Sequence, residues 1–232
     1  MRAMPLHVAS QSRRPGRPKG LDPACREKLL ASALSAFSRH GFEGVSLRTI
    51  TTEAGFDVSM IAHHFGSKAE LWRAVVDEVA QDHEALRIEI NELRSTIRSL
   101  EIRVTAVLDR MIDHLANHPE TSMFVTREIW APSERLGYLV EKLLRPSIET
   151  HVSLWREALD AGLIRPINPV VLHFGLFSGV AMILASRSII AQLGGGDIDI
   201  AQLKAEVHSG LLGMARDRSS EPLSITTMPQ NE

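Results

Sequence analysis

Apolar positions recur at helical spacing along nearly the whole chain. Leu30, Ala33, Leu34 and Phe37 share one face of a first helix of about four turns. Asp22 is placed to cap it, Pro23 to open it and Gly41 to stop it. A shorter run follows in "SLRTITTEA", with Ser46 as its cap, and another in "GFDVSMIAHHF", with Asp57 as its cap. Gly55 between them supplies the backbone a tight turn needs, and Ile50, Ala54, Ile61 and Phe65 are the anchors that pack the two together. Two short helices joined in this way predict a helix-turn-helix. The continuation "GSKAELW" sets Ser67 and Glu70 at capping-box spacing, with Lys68 opening the next helix, where free amides and a lysine suit a phosphate.

Beyond Val75 the pattern predicts helices over 68–92, 98–117, 119–130, 133–161, 168–192 and 199–217, with no strand alternation and no repeat. Gly162 and Pro166 end one helix, Asn168 and Pro169 start the next, and "GGGD" at 194–197 breaks it. Residues 170–186 are apolar nearly all round. The run is 17 residues long, includes His173 and ends at Arg187, short of the roughly 20 apolar residues a bilayer demands, so it predicts a buried helix and no membrane contact. The fold class is all-α.

With 232 residues, 44% hydrophobic and 23% charged, the chain can bury a core as one large or two smaller domains. The net charge of −2 hides an asymmetry: eleven Lys or Arg face six Asp or Glu up to Val75, and fifteen face twenty-two beyond it. An anion is expected at the basic front. Residues 1–20 hold no acidic group and no apolar run of signal-peptide type, which predicts a cytoplasmic protein. The lone Cys25 excludes an internal disulfide and a cysteine-based zinc cage, and reads as a small core residue.

The stretch "GFEGVSLRTITTEAGFDVSMIAHHFGSKAELWRAV" resembles the DNA-binding domain of the TetR family of bacterial transcription regulators. That domain runs as a helix, G-x-x-x-T/S, a short helix, A-G-V-S, an aromatic-rich recognition helix and F-x-S-K-x-x-L. The resemblance covers about residues 22–76. It implies an N-terminal three-helix helix-turn-helix domain at 22–67 and a helical effector-binding and dimerisation domain at 68–217, flanked by disordered segments at 1–21 and 218–232. Ser46 and Arg48 match the start of the helix that crosses the DNA backbone, Val58, Ser59, Met60, His63 and His64 match the exposed face of the recognition helix, and Lys68 matches a phosphate anchor. Where the family commonly has a tyrosine, this chain has Ala62, which offers only a methyl, for instance to a thymine.

Some affinity must then come from elsewhere, and "RRPGRPKGLDP" at 13–23 is a candidate. Its prolines hold the chain extended and Gly16 allows close approach, so that Arg17, supported by Arg14 and Lys19, can enter a narrow A·T-rich minor groove. The alternative is a solvated tail. His63 and His64 point about 100° apart on a helix, which suits DNA-facing donors better than joint chelation of a metal.

The resemblance also implies a homodimer built on the last two long helices, in which Gly175, Ser178, Gly179, Ala181 and Ala185 allow close backbone approach. Residues 123–169 resemble the C-terminal domain of one branch of the family that binds small effectors. Polar or aromatic groups on otherwise apolar faces give the candidate ligand contacts: Met111 with His114, Phe124 with Glu128, His151 with Trp155, and Phe174 with Phe177. No phosphate loop, nucleophile elbow or HExxH motif is present, so no enzyme activity, cofactor or metal is expected. The expected protein is a ligand-responsive repressor that binds a near-palindromic double-stranded operator and an unidentified small effector. An architectural DNA-binding protein without effector, or a helical enzyme, are the alternatives.

Overall fold

The computed structural model describes residues 23–130 and 133–216, which are helix and connecting loop with no strand among them. The basic arm with Arg14, Arg17 and Lys19, the cap Asp22 and the tail from 217 lie outside the described residues. Helix α1 spans Pro23–Gly44 and bends at Gly41, whose φ of 71° favours glycine. α2 (Leu47–Ala54) is capped by Ser46, whose hydroxyl accepts from the Thr49 amide, and closes on Gly55 at φ 75°. α3 (Val58–His64) is capped by Asp57, whose carboxylate accepts from the Ser59 hydroxyl and amide, and these hydrogen bonds hold its carboxyl below the ordinary range.

Helix α4 spans Lys68–Thr96, with the Ser67 hydroxyl accepting from the Glu70 amide at 3.1 Å. It outlasts its expected end at 92 by one turn because tertiary contacts hold that turn. Arg94 donates to the Thr150 carbonyl, to Ser153 Oγ at 2.7 Å and to Glu157 at 2.9 Å.

Helices α5 (Leu100–Asn117) and α6 (Pro119–Trp130) follow. The single helix expected over 133–161 is instead α7 (Glu134–Leu139), a π-helical turn at Val140–Leu144 and α8 (Arg145–Asp160). Pro146 explains the wide turn, since it has no amide to donate and its ring crowds the carbonyl four residues back.

Helix α9 spans Pro169–Ala185, with Asn168 accepting from the amides of Val170 and Val171. The expected continuation to 192 is broken at Ser186, whose carbonyl accepts from Ile189 and Ile190 to start the short α10 (Arg187–Ile190). A further π-helical turn covers Ala191–Gly195, and the direction changes by 68° across the break. No Gly or Pro marks Ser186, so the apolar pattern runs on through the bend. α11 spans Ile200–Arg216. Among the described residues, no single helix is long and apolar enough to cross a membrane.

Two cores lie along α4. The first gathers Phe37 of α1, Ile50 of α2, Ile61 of α3 and Trp72 of α4, together with Phe124 of α6 and Leu139 of α7. The second joins Ile90 of α4 with Leu108 of α5, Trp155 of α8, Val180 of α9 and Leu203 of α11. The packing therefore runs without a gap across residue 67, because α6 and α7 complete the core under the helix-turn-helix. Cys25 is only half-buried and belongs to neither core, contrary to its reading as a core residue.

The expectation of a buried α9 is also corrected for the single chain. Only Leu172, His173 and Val180 are buried, whereas Val171 is 58% and Met182 62% exposed. Val171, Gly175, Ser178, Gly179, Met182 and Ala185 form one exposed stripe at helical spacing, and Ala181 faces the second core instead.

Candidate functional site

The helix-turn-helix presents a continuous outer face. Ile50 and Ile61 are fully buried and Phe65 partly so, which turns Ser46, Arg48, Val58, Ser59, Ala62 and His63 outward. Met60 and His64 are half-buried at its edge, and the His63 and His64 rings meet edge to face with centroids 4.6 Å apart. Lys68 is half-buried because its Nζ lies 4.5 Å over the Phe42 ring. Local signals build this face: three caps and one glycine turn, each acting within four residues of itself.

The same Phe42 links this unit to the helical domain. The Arg135 guanidinium of α7 lies 3.7 Å over its ring, and Arg135 also pairs with Glu43 at 3.5 Å and Glu128 at 3.8 Å. Glu128 is 2% exposed; burial raises its pKa and Arg135 opposes the rise. Next to it on α6, Arg127 packs on the bend of α1, where a Cβ at Gly41 would stand 3.4 Å from Arg127 Cδ.

A cavity with about 380 Å³ of empty space, its mouth included, lies on the other side of α6. Val125 and Ile129 of α6 form one wall and Leu143, Leu144 and Ile148 another. Phe174 and Phe177 of α9, both among the candidate ligand contacts, line it, and so do His83, Ser147 and His173, which were not among the candidates. Both histidines carried a signal: each is a polar residue on the apolar face of its helix.

The other candidate contacts are spread around this space. His151 stands beside His173 with ring centroids 4.8 Å apart, and His114 beside His83 at 4.6 Å. Met111 and Trp155 lie within the second core, whereas Phe124 packs on Trp72 in the first. Glu128 faces Arg135 instead of the cavity.

Burial pushes His114 and His173 down to about 3 and lowers His83 and His151, aided by repulsion among the rings. The rings are therefore neutral near pH 7. No group of three or more His, Cys, Asp or Glu among the described residues is arranged to hold a metal ion.

This arrangement defines an all-α protein with an N-terminal helix-turn-helix on a helical body. Residues 29–75 match the model of the bacterial regulatory proteins of the tetR family. The regulatory protein RaaS of Mycobacterium tuberculosis is 30% identical over 142 residues, 61% of this chain and 55% of that one, so the chain spans little more than half the length of this relative. The repressor NicS of Pseudomonas putida is 27% identical over 175 residues, 72% of this chain and 73% of that one. Among solved structures, AibR in complex with isovaleryl coenzyme A and operator DNA superposes with a TM-score of 0.65 at 17% identity, covering 81% of this chain and 98% of that one.

Proposed function

We propose that the chain is a cytoplasmic transcriptional repressor that binds a near-palindromic operator as a homodimer and releases it when a small effector occupies the cavity bounded by α6 and α9. The observation that carries the reading is the outward face of α2 and α3, with Arg48, Ser59 and His63 exposed over the buried Ile50 and Ile61. The exposed small-residue stripe of α9 is the surface on which a second copy packs. AibR, whose structure holds both an acyl coenzyme A and operator DNA, supports coupling of ligand to DNA on this fold.

The reading is tested by selecting an operator from random duplexes and measuring fluorescence anisotropy against salt. Arg48→Ala or Lys68→Ala is expected to weaken binding. Loss of a phosphate contact lowers the salt slope by about one, and loss of a base contact relaxes specificity at one position. Failure of the intact protein to select any sequence rejects the reading.

A further inference from the structure

We propose that the cavity takes a small neutral alcohol or phenol, with its hydroxyl against His83 and His173 and its hydrocarbon or aromatic body against Phe174, Phe177 and the α6 wall. This rests on the cavity being the effector site. The lining contains no Lys, Arg, Asp or Glu among the described residues. A carboxylate or phosphate entering it would lose its water without gaining a counter-charge. The imidazoles do not supply one, since burial keeps both His83 and His173 neutral near pH 7.

Neutral imidazoles on an apolar wall call for a polar partner. His173 is 5% exposed, and its Nδ1 has no hydrogen-bond partner in the protein. His83 is 8% exposed, and its Nδ1 lies 3.0 Å from the Val79 carbonyl. A carbonyl can only accept, so His83 Nδ1 carries the proton and Nε2 keeps a lone pair.

The Ser147 carbonyl sets His151 the same way at 2.8 Å, leaving His151 Nε2 as an unpartnered acceptor beside His173. A hydroxyl both donates and accepts, so it satisfies an imidazole lone pair and also serves His173 in either tautomer. A ketone or ether only accepts, and a hydrocarbon leaves the buried nitrogen unpaired.

The test is isothermal titration of the full-length protein at about pH 7.5 with 4-propylphenol, propylbenzene and 4-propylbenzoate, a series alike in body and different in polar group. The phenol is expected to bind on the order of tenfold more tightly than propylbenzene, with the benzoate weakest. In His173→Leu or His83→Leu, shown to be folded by circular dichroism, the phenol falls towards propylbenzene while propylbenzene changes by less than roughly twofold.

If neither variant folds, the wild-type ranking decides alone. A tighter benzoate, a phenol preference that survives in both variants, or no binding by any probe overturns the proposal. An operator titration on the same preparation separates the outcomes: intact DNA binding leaves the regulator reading standing, and its loss rejects that reading.

Discussion

The Arg135 guanidinium lies 3.7 Å over the Phe42 ring, placing a residue of α7 against the bent exit of α1. Lys68 at the start of α4 lies over the same ring at 4.5 Å. One aromatic side chain thus joins the helical body to the first turn of the helix that follows the helix-turn-helix. On α6, Val125 and Ile129 face the cavity while Glu128 meets Arg135, so one helix borders both the cavity and the Arg135–Phe42 contact.

Arg135→Ala removes the cation from Phe42 and leaves Glu128 buried without its counter-charge. The expected loss is about 1–3 kcal/mol. The folded pKa of Glu128 is already raised, so the folded state holds its proton more tightly than the unfolded chain does. The destabilisation grows as pH rises through that raised value, where the unpaired carboxylate must charge. Urea unfolding at pH values on either side of the carboxylate range measures it, and adding Glu128→Gln to Arg135→Ala should recover much of the loss at the higher pH.

Gly179→Leu tests the dimer surface. A Cβ at Gly179 meets nothing within 4 Å in the single chain, so added bulk leaves the subunit fold alone and acts only where a second copy packs. Sedimentation should show dissociation, and operator affinity should fall with it, because two half-sites bound by linked subunits gain effective concentration. An undisturbed dimer places Gly179 outside the contact.

Acidification should destabilise the fold through the histidines. His114 and His173 fall from the ordinary 6.5 to about 3. Between those values the unfolded chain binds protons that the folded state refuses, so stability is full above about 6.5 and is lost as pH falls towards 3. At fixed protein concentration, urea midpoints between about pH 4.5 and 7.5 should decline on acidification, and His114→Leu should flatten the slope by up to about one proton.

Deleting residues 1–19 should leave helicity and dimer unchanged and weaken operator binding, most on A·T-flanked sites. Arg17→Ala alone should remove the flank preference, whereas loss of Arg13, Arg14 and Lys19 should mainly reduce the salt slope. Titrations of intact and truncated protein on A·T- and G·C-flanked operators distinguish this from a solvated tail, for which all four affinities are equal.

Features that act within a turn or two of chain are legible in the residues themselves. Ser46, Asp57, Ser67 and Asn168 cap the helices they precede, because the capping oxygen and the amide it satisfies are two or three residues apart. Gly55 makes its turn for the same local reason, and the periodicity of Ile50 and Ile61 decides which side of the helix-turn-helix faces out. The resemblance of residues 22–76 rests on these local features together.

What each inward face meets is set by contacts between elements distant in the chain. Periodicity marks a face as buried without naming its neighbour, so the reading placed Phe124 and Glu128 at a ligand site, whereas Phe124 packs on Trp72 and Glu128 on Arg135. His83 and His173 reach one cavity from α4 and α9, far apart in the chain. The α9 stripe is exposed in a single chain although its residues are as apolar as a core, because burial depends on a partner surface that no spacing within the helix encodes. The break at Ser186 is not marked in the sequence either: with no Gly or Pro to interrupt the pattern, local propensity favours continuation, yet the chain turns by 68° there.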